Sequence, residues 1–341
     1  EGPIFHFNSM RASVLESVVK ATEKEVASSQ LESMLGEALY LERGRLKRNR
    51  PNLFTRHRAV RDRRMMSYLH SGMLKGPGET DRKALLAALL SHYAEEIGSN
   101  FNVDAYKFAV KFVPWSFSWL LNAASVQRFL PWGMTQSLES RLRVLGEVSE
   151  LQTLAKKGTI LLVPTHQSNI DSVLLGYVIY LMSLPPFAYG AGLNLFSNPA
   201  LSFFMSNLGA YTVDRQKSNS LYKNLLKNYS TEILRRGVHS IFFPGGGRSR
   251  SGAVESKVKL GLLGTALEAQ TRNLIEGKEK PNLYVIPMVM SYHFVLEAAS
   301  LVEDYLAEAG KHRFILQGDE SFQALKIVNF FWKFFSTKST I

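Results

Sequence analysis

The stretch TILLVPTHQSNIDSVLLGYVIYLM, residues 159–182, carries the clearest structural signal in this chain. It opens with a short apolar run that is typical of a buried strand and closes with a longer apolar run of helical length. Between the two runs stand His166 and Asp171, five positions apart. A strand that leads into a helix predicts one unit of an α/β sheet, with both polar residues at the carboxyl end of the strand.

The same alternation continues along the rest of the chain. Further strands are predicted at 187–192, 210–214, 239–244, 283–292 and 313–318, and helices between them at 218–236 and 256–272. Strands that alternate with helices indicate an α/β fold with a mixed, largely parallel central sheet flanked by helices.

The N-terminal part has a different texture. Apolar residues recur at helical spacing through residues 11–40 and again through 82–97. We therefore predict two domains: a helical bundle with a basic segment at 1–105, followed by an α/β domain at 106–341.

The composition excludes several classes of chemistry within these 341 residues. The chain has no cysteine, so a disulfide, a thiolate metal site and a cysteine nucleophile are excluded. The histidines show no metal-ligand spacing such as HExxH, and no metal site is predicted. No charge-free apolar run reaches the roughly 18 residues that a spanning helix requires, so we do not expect one.

The formal net charge of +12 is concentrated in one segment. Between Arg43 and Arg64 there are ten Lys or Arg residues and one acid, Asp62, for a local net charge of +9. Such a segment suits contact with anionic lipid headgroups, an acidic carrier protein or nucleic acid. The alternative is a solvated loop and helix face.

Aromatic residues are concentrated in two stretches outside the predicted strands. Trp115, Trp119 and Trp132 lie in residues 108–134, and Trp332 lies near the C-terminal end. Aromatic residues mixed with lysine are typical of helices at a membrane interface. The alternative is that these helices cover one face of the sheet or join the two domains.

The pair His166 and Asp171 has the spacing of a base and its orienting carboxylate. If Asp171 accepts a hydrogen bond from Nδ1 of His166, Nε2 remains free to remove a proton from a substrate hydroxyl. Taken alone, the spacing favours a structural hydrogen-bonded pair, since a histidine and an aspartate five positions apart occur by chance in many proteins.

A glycine-rich segment, FFPGGGRSRSG at residues 242–252, indicates an anion site. Glycines after a strand let backbone amides approach an anion closely, and Arg248 and Arg250 add charged, fork-shaped donors. The spacing fits neither a nucleotide P-loop nor a dinucleotide fingerprint. The alternative is a glycine-rich turn with solvated arginines.

In this order, the motifs resemble those of the glycerophospholipid acyltransferases, and within them the glycerol-3-phosphate acyltransferase branch. HQSNID (166–171) fits the HxxxxD block of that family, and GAGLNLF (190–196) with LGAYTVDR (208–215) is similar to the second block. GGGRSRSG (245–252) is similar to the third block and VIPMVMSYHFVLE (285–297) to the fourth. The chain departs from the family pattern at Gly245 and His293, where glutamate is usual.

The resemblance implies a role for each site residue. His166 would be the general base and Asp171 its orienting carboxylate, while Asn194 would support the pocket and Pro287 would line it. A phosphate group would be held by Arg215, Gly246, Gly247, Arg248, Ser249 and Arg250. No metal or organic cofactor is implied, and acyl-CoA or acyl-ACP would be a co-substrate.

The expected activity is transfer of an acyl group from a thioester to glycerol 3-phosphate, which gives lysophosphatidate in the first step of phospholipid synthesis. Lysophosphatidate and dihydroxyacetone phosphate are alternative acceptors, and a noncatalytic protein that binds lipid or nucleic acid is the alternative of another class. We further expect peripheral or monotopic association with the cytoplasmic face of a membrane, with acyl carrier protein as a candidate partner and no nucleic acid.

Overall fold

The computed structural model describes residues 2–48, 56–123, 137–168, 171–193, 199–245 and 260–292. Its N-terminal part contains the helices α1 (Phe7–Glu25), α2 (Leu31–Arg48), α3 (Arg56–Leu74), α4 (Glu79–Ile97) and α5 (Val103–Ala123). Short 3-10 turns at Pro3–His6 and Ser28–Gln30 precede α1 and α2.

The N-terminal helices form a bundle because each buries one apolar stripe. In α1 the stripe includes Val14 and Val18, and in α4 it includes Leu89, Leu90 and Tyr93, all of which are buried. These residues recur three or four positions apart, which places them on one side of each helix. The predicted helical bundle is confirmed.

The second part contains a five-stranded sheet. Its strands are β1 (Thr159–Pro164), β2 (Ala188–Gly192), β3 (Ala210–Val213), β4 (Ser240–Ile241) and β5 (Leu283–Met288). The helices of this part are α6 (Leu138–Arg141), α7 (Val148–Lys157), α8 (Asp171–Leu181), α9 (Pro199–Asn207), α10 (Ser220–Arg235) and α11 (Leu260–Ile275).

The strand order is β3-β2-β4-β1-β5, and every pairing among the described strands is parallel. The predicted α/β class is confirmed, and its largely parallel sheet is wholly parallel within the described residues. The strands predicted at 239–244 and 283–292 are longer than the observed β4 and β5. The strand predicted at 313–318 lies outside the described residues.

Helices cover both faces of this sheet. Along β1, Ile160 and Leu162 pack in one core together with α8, while Leu161 packs in another with α10 and α11. This burial on both sides explains why β1 reads as a continuous apolar run instead of an alternating one.

The bundle and the sheet share one hydrophobic core. Leu89 and Tyr93 of α4 belong to the same buried cluster as Tyr222 and Tyr229 of α10 and as Tyr211 of β3. The predicted domain boundary at residue 105 falls in the first turn of α5, and the division into 1–105 and 106–341 stays a prediction. Among the described helices, none combines the length and apolarity needed to cross a bilayer.

Candidate active site

The parallel sheet gathers the polar residues of several loops at one edge. His166 follows the end of β1, Asp171 begins α8, and Arg215 follows the end of β3. Because all the described strands run in the same direction, these three positions lie at the carboxyl edge of the sheet, where α/β proteins bind ligands.

His166 and Asp171 form the predicted hydrogen-bonded pair. Nδ1 of His166 lies 2.7 Å from Oδ2 of Asp171. The Asp171 carboxylate is fully buried, whereas the His166 side chain keeps 21% of its surface exposed. Since Asp171 engages Nδ1, Nε2 is the ring nitrogen that is available to a substrate.

Asp171 is held as a carboxylate by the groups around it. The same Oδ2 accepts hydrogen bonds from the backbone amides of Gln167 at 2.7 Å and Ser168 at 3.0 Å. Oδ1 accepts a hydrogen bond of 2.5 Å from the hydroxyl of Tyr292. Burial raises the cost of the charge, but the hydrogen bonds from His166, Tyr292 and the two amides outweigh it and lower the pKa of Asp171.

An aromatic ring also packs against one face of the His166 imidazole. The ring of Phe243, which follows β4, lies 4.5 Å from it between centroids at an angle of 35°. With Nδ1 bonded and one face packed, the orientation of the ring is set before a substrate arrives.

A cavity of about 550 Å³ opens beside His166. Its walls are apolar at Val213, Leu226, Phe242 and Leu262. The charged side chains along its lining are Arg215, Lys223, Lys227 and Glu37. Three cations against one acid, beside a histidine, suit an anionic ligand that also has an apolar part.

The structure brings some of the predicted site residues together and places others elsewhere. His166 and Arg215 both line the cavity, and Asp171 lies behind His166. Pro287 is an exposed residue of β5, paired with Val163, and it is not among the described residues that line the cavity. Its role stays a prediction, as do those of the predicted residues that lie outside the described ranges: Asn194, Gly246, Gly247, Arg248, Ser249 and Arg250.

The amino-acid sequence of this chain is similar to those of known proteins. Residues 146–291 match the acyltransferase family. This part of the chain is similar to acyltransferase domains. Over 212 residues, 62% of the chain, the identity is 30% to glycerol-3-phosphate acyltransferases of Pasteurella multocida (strain Pm70) and Histophilus somni (strain 129Pt). The predicted resemblance to that branch is confirmed, although the matched region spans only 23% of the length of each of these relatives.

A buried ionic cluster that the sequence did not reveal lies beside the candidate active site. We call it the buried charge cluster, and its members are Glu42, Arg45, Asp62, Glu96, Asp214 and Lys217, all at most 8% exposed. Arg45 Nη2 lies 2.7 Å from Glu42 and 2.5 Å from Asp62. Lys217 Nζ lies 3.3 Å from Asp62 and contacts Glu96.

The interpretation of residues 43–64 as one cationic surface is therefore only partly right. Arg45 and Asp62 are buried in the cluster, whereas Arg43, Lys47, Arg63 and others remain exposed. The burial of Arg45 could have been inferred from helical periodicity, because Arg45 continues the buried stripe of Leu31, Leu35 and Ala38 along α2.

Two acids of the cluster, Asp62 and Glu96, lie close to His92, and all three residues are of types that can bind a metal. Ligand atoms of Asp62, His92 and Glu96 lie within 4.8 Å of one another. The ammonium group of Lys217 bonds to both acids of this set. Burial opposes its charge, but Glu96, Asp62 and Glu42 outweigh burial and raise the pKa of Lys217. Within the described residues, this acidic set is therefore neutralised by the Lys217 side chain, and Arg45 also pairs with Asp62.

Proposed function

We propose that this protein is a glycerol-3-phosphate O-acyltransferase. The observation that carries the proposal is the pair His166 and Asp171, with Nδ1 and Oδ2 at 2.7 Å, next to a cavity that also contains Arg215. The similarity to named glycerol-3-phosphate acyltransferases supports the choice of acceptor.

In the proposed reaction, Nε2 of His166 removes the proton of a glycerol hydroxyl while its oxygen attacks the thioester carbonyl. Asp171 stabilises the imidazolium that forms, because its carboxylate is ionised and bonded to Nδ1. The tetrahedral intermediate then expels the thiolate, which takes the proton from Nε2. The products are lysophosphatidate and a free thiol, and no acyl-enzyme or cofactor is required.

Arg215 is proposed to bind the phosphate group of the acceptor. Its side chain is exposed to the cavity, and a guanidinium group binds phosphate through paired, charge-assisted hydrogen bonds. By the family resemblance, Gly246, Gly247, Arg248, Ser249 and Arg250 complete this site. Phe243 and Gly261, described residues on either side of that segment in the sequence, both line the cavity and support this assignment.

The acyl donor is proposed to be a thioester of coenzyme A or of acyl carrier protein. Both carry negative charge, and the exposed cations of α2 and α3 suit either partner. The cavity is large enough to admit the thioester end of a donor in addition to a small acceptor, and its apolar wall suits the acyl chain.

Association with a membrane surface is proposed on the basis of α5 and α9. Phe108 and Trp115 of α5 are 50% and 63% exposed, and Phe203 of α9 is 49% exposed. Phe112 stacks with Phe108 and lies close to Phe204, so these rings form one aromatic patch. The opposite side of α5 packs through Val113 and Phe117 against Leu138 and Tyr177.

This arrangement combines the two interpretations left open by the sequence. One side of α5 covers the α/β part, and the other presents aromatic rings beside the exposed Lys107 and Lys111. Exposed rings next to lysines are typical of an interfacial helix. We place the protein at the cytoplasmic face of a membrane as a peripheral or monotopic protein.

The test is a product assay with two donors in parallel. Radiolabelled glycerol 3-phosphate is incubated with palmitoyl-CoA or palmitoyl-ACP and the wild-type protein, and with His166→Ala and the exposed control His57→Ala. Lysophosphatidate from the wild type and His57→Ala, but not from His166→Ala, is the expected result and identifies the donor. No product with either donor would contradict the proposal and favour another acceptor or a binding protein.

A further inference from the structure

The connection from β3 to α10, residues 214–219, faces the cavity on one side and the protein interior on the other. Arg215 and Ser218 line the cavity, as does Ser220, the first residue of α10. Asp214, Lys217 and Asn219 alternate with them and are buried at 2%, 2% and 0% exposure. The buried side of this connection contacts the N-terminal helices.

Lys217 joins the connection to two of those helices. Its ammonium group donates a hydrogen bond to Asp62 Oδ1 of α3 at 3.3 Å and another to Glu96 Oε2 of α4. The rings of Tyr93 and Tyr222 also lie close to the ammonium, at 4.8 and 5.7 Å from their centroids. The ammonium group of this side chain is therefore held from several directions.

Asn219 and Asp214 also contact the N-terminal helices through polar side chains. The Asn219 amide donates hydrogen bonds to Glu42 Oε1 of α2 and to the Tyr93 hydroxyl of α4, both at 3.2 Å. Asp214 Oδ2 lies 3.6 Å from Arg45 Nη1 of α2. The six residues from Asp214 to Asn219 thus contact α2, α3 and α4.

A buried ionic cluster of this kind contributes little to the stability of the fold by itself. Removing buried charges from water is costly, and well-packed apolar residues of similar volume often stabilise a core equally well. Ionic contacts do, however, demand a particular geometry. Here that geometry fixes the backbone on both sides of Arg215.

We propose that Lys217, with Asp62 and Glu96, is a positioning device through which the N-terminal helices hold Arg215 at the cavity. Lys217 acts through the backbone and does not contact the ligand. The inference rests on the proposed function for the identity of the anion that Arg215 binds, the phosphate of the acceptor.

The test compares two variants of the full chain. Lys217→Met removes the ammonium group that Glu96 and Asp62 share, although Asp62 keeps its contact with Arg45. This variant risks failing to fold. The triple variant Lys217→Met, Asp62→Asn, Glu96→Gln removes the cation together with the two acids that it bonds, and it leaves Arg45 paired with Glu42 and Asp214.

In the triple variant, the KM for glycerol 3-phosphate is expected to rise about tenfold to a hundredfold, because small displacements of a positioning group have effects of this size. The KM for the thioester donor is expected to stay at its wild-type value. Lys217→Arg, which keeps the cation, is expected to lie closer to wild type than the triple variant does.

Glu232→Gln is the matched control. Glu232 is a buried acid of α10 that pairs with Arg235 and Arg236, near the end of the helix away from the connection. Its replacement disturbs buried charge without touching residues 214–219, so the KM for the acceptor should not change. An unchanged acceptor KM in the triple variant, or an equal rise in Glu232→Gln, would overturn the proposal.

Hydrogen exchange of the amides at 214–220 provides a readout that needs no turnover. Faster exchange there in the triple variant than in wild type and Glu232→Gln is the expected result, and unchanged exchange would overturn the inference. If the wild type lacks acyltransferase activity, the proposed function fails, while the exchange rates still decide whether the cluster holds the connection.

Discussion

Tyr292 donates its hydroxyl hydrogen to Oδ1 of Asp171 at 2.5 Å, on the side of the carboxylate that His166 does not occupy. Tyr292 follows β5, so the first and fourth sequence blocks of the family resemblance meet at one buried carboxylate. Asp171 is therefore fixed by a side chain more than a hundred positions away in sequence.

Replacing Tyr292 with phenylalanine is expected to reduce kcat/KM about threefold to tenfold. A hydrogen bond to a charged group contributes roughly 1.5–3 kcal/mol, and part of that loss falls on the imidazolium that forms during the reaction. The pKa of Asp171 should rise, since one of the bonds that lower it is gone. Initial rates with varied glycerol 3-phosphate measure the effect.

Asp171→Asn provides the comparison for that variant. An amide can hold the imidazole in the wrong tautomer and cannot stabilise its positive charge, so a loss of about 10³ to 10⁴ in kcat is expected. Equal losses in Tyr292→Phe and Asp171→Asn would contradict the separate roles assigned to the two residues.

Arg215→Gln is expected to raise the KM for glycerol 3-phosphate about tenfold to a hundredfold, because it removes a charge-assisted hydrogen bond to phosphate. The KM for the thioester should change little. Arg63→Gln, at an exposed position of α3, is the control and should leave the KM for the acceptor unchanged. A wild-type KM in Arg215→Gln would remove Arg215 from the phosphate site.

Stability is expected to fall between pH 6.5 and pH 4 because of His239. Its Nδ1 accepts a hydrogen bond from the Ile160 amide at 3.0 Å, and burial lowers its pKa to about 4. Between about pH 6.5 and pH 4 the unfolded chain binds this proton and the folded chain does not. The contribution of His239 to the free energy of unfolding is complete above pH 6.5 and falls by about 3 kcal/mol as the pH drops to 4.

His239→Asn isolates that effect, since an amide oxygen can accept the Ile160 hydrogen bond but does not titrate. Urea unfolding of both proteins at pH 7 and pH 4 measures the difference. The variant should lose about 3 kcal/mol less than wild type over this range. Identical losses would show that His239 is not the group responsible.

The aromatic patch of α5 and α9 predicts a membrane phenotype. Trp115→Ser is expected to reduce partitioning to anionic vesicles about tenfold, since burial of one large apolar side chain contributes about 1.5–3 kcal/mol. Tyr40→Ser is the control, because Tyr40 is 79% exposed on α2, away from the patch. Cosedimentation at low salt measures both, and equal binding of Trp115→Ser and wild type would contradict a docking role for the patch.

Much of the fold was predictable because its signals are local. The run 160–164 is apolar throughout, and burial of β1 on both faces requires such a run. The pair His166 and Asp171 was predictable for the same reason, since both residues lie within one short strand-to-helix connection.

The buried charge cluster was not predictable in this way. Lys217 meets Asp62 and Glu96 across 155 and 121 positions of sequence, and nothing local distinguishes it from a solvated lysine. The role of Tyr292 was missed for a similar reason, because its partner is set by the pairing of β5 with β1. Pro287 lies on the exposed face of β5, and its predicted role in lining the site stays a prediction.

Release of free thiol from palmitoyl-CoA or palmitoyl-ACP, followed with and without glycerol 3-phosphate, tests His166 as the base that acts on the acceptor. Thiol release by the wild type is expected to depend on glycerol 3-phosphate, and His166→Ala is expected to lose this release while it still binds glycerol 3-phosphate. Thiol release that is independent of glycerol 3-phosphate, or that persists in His166→Ala, would contradict the role of His166 as the base.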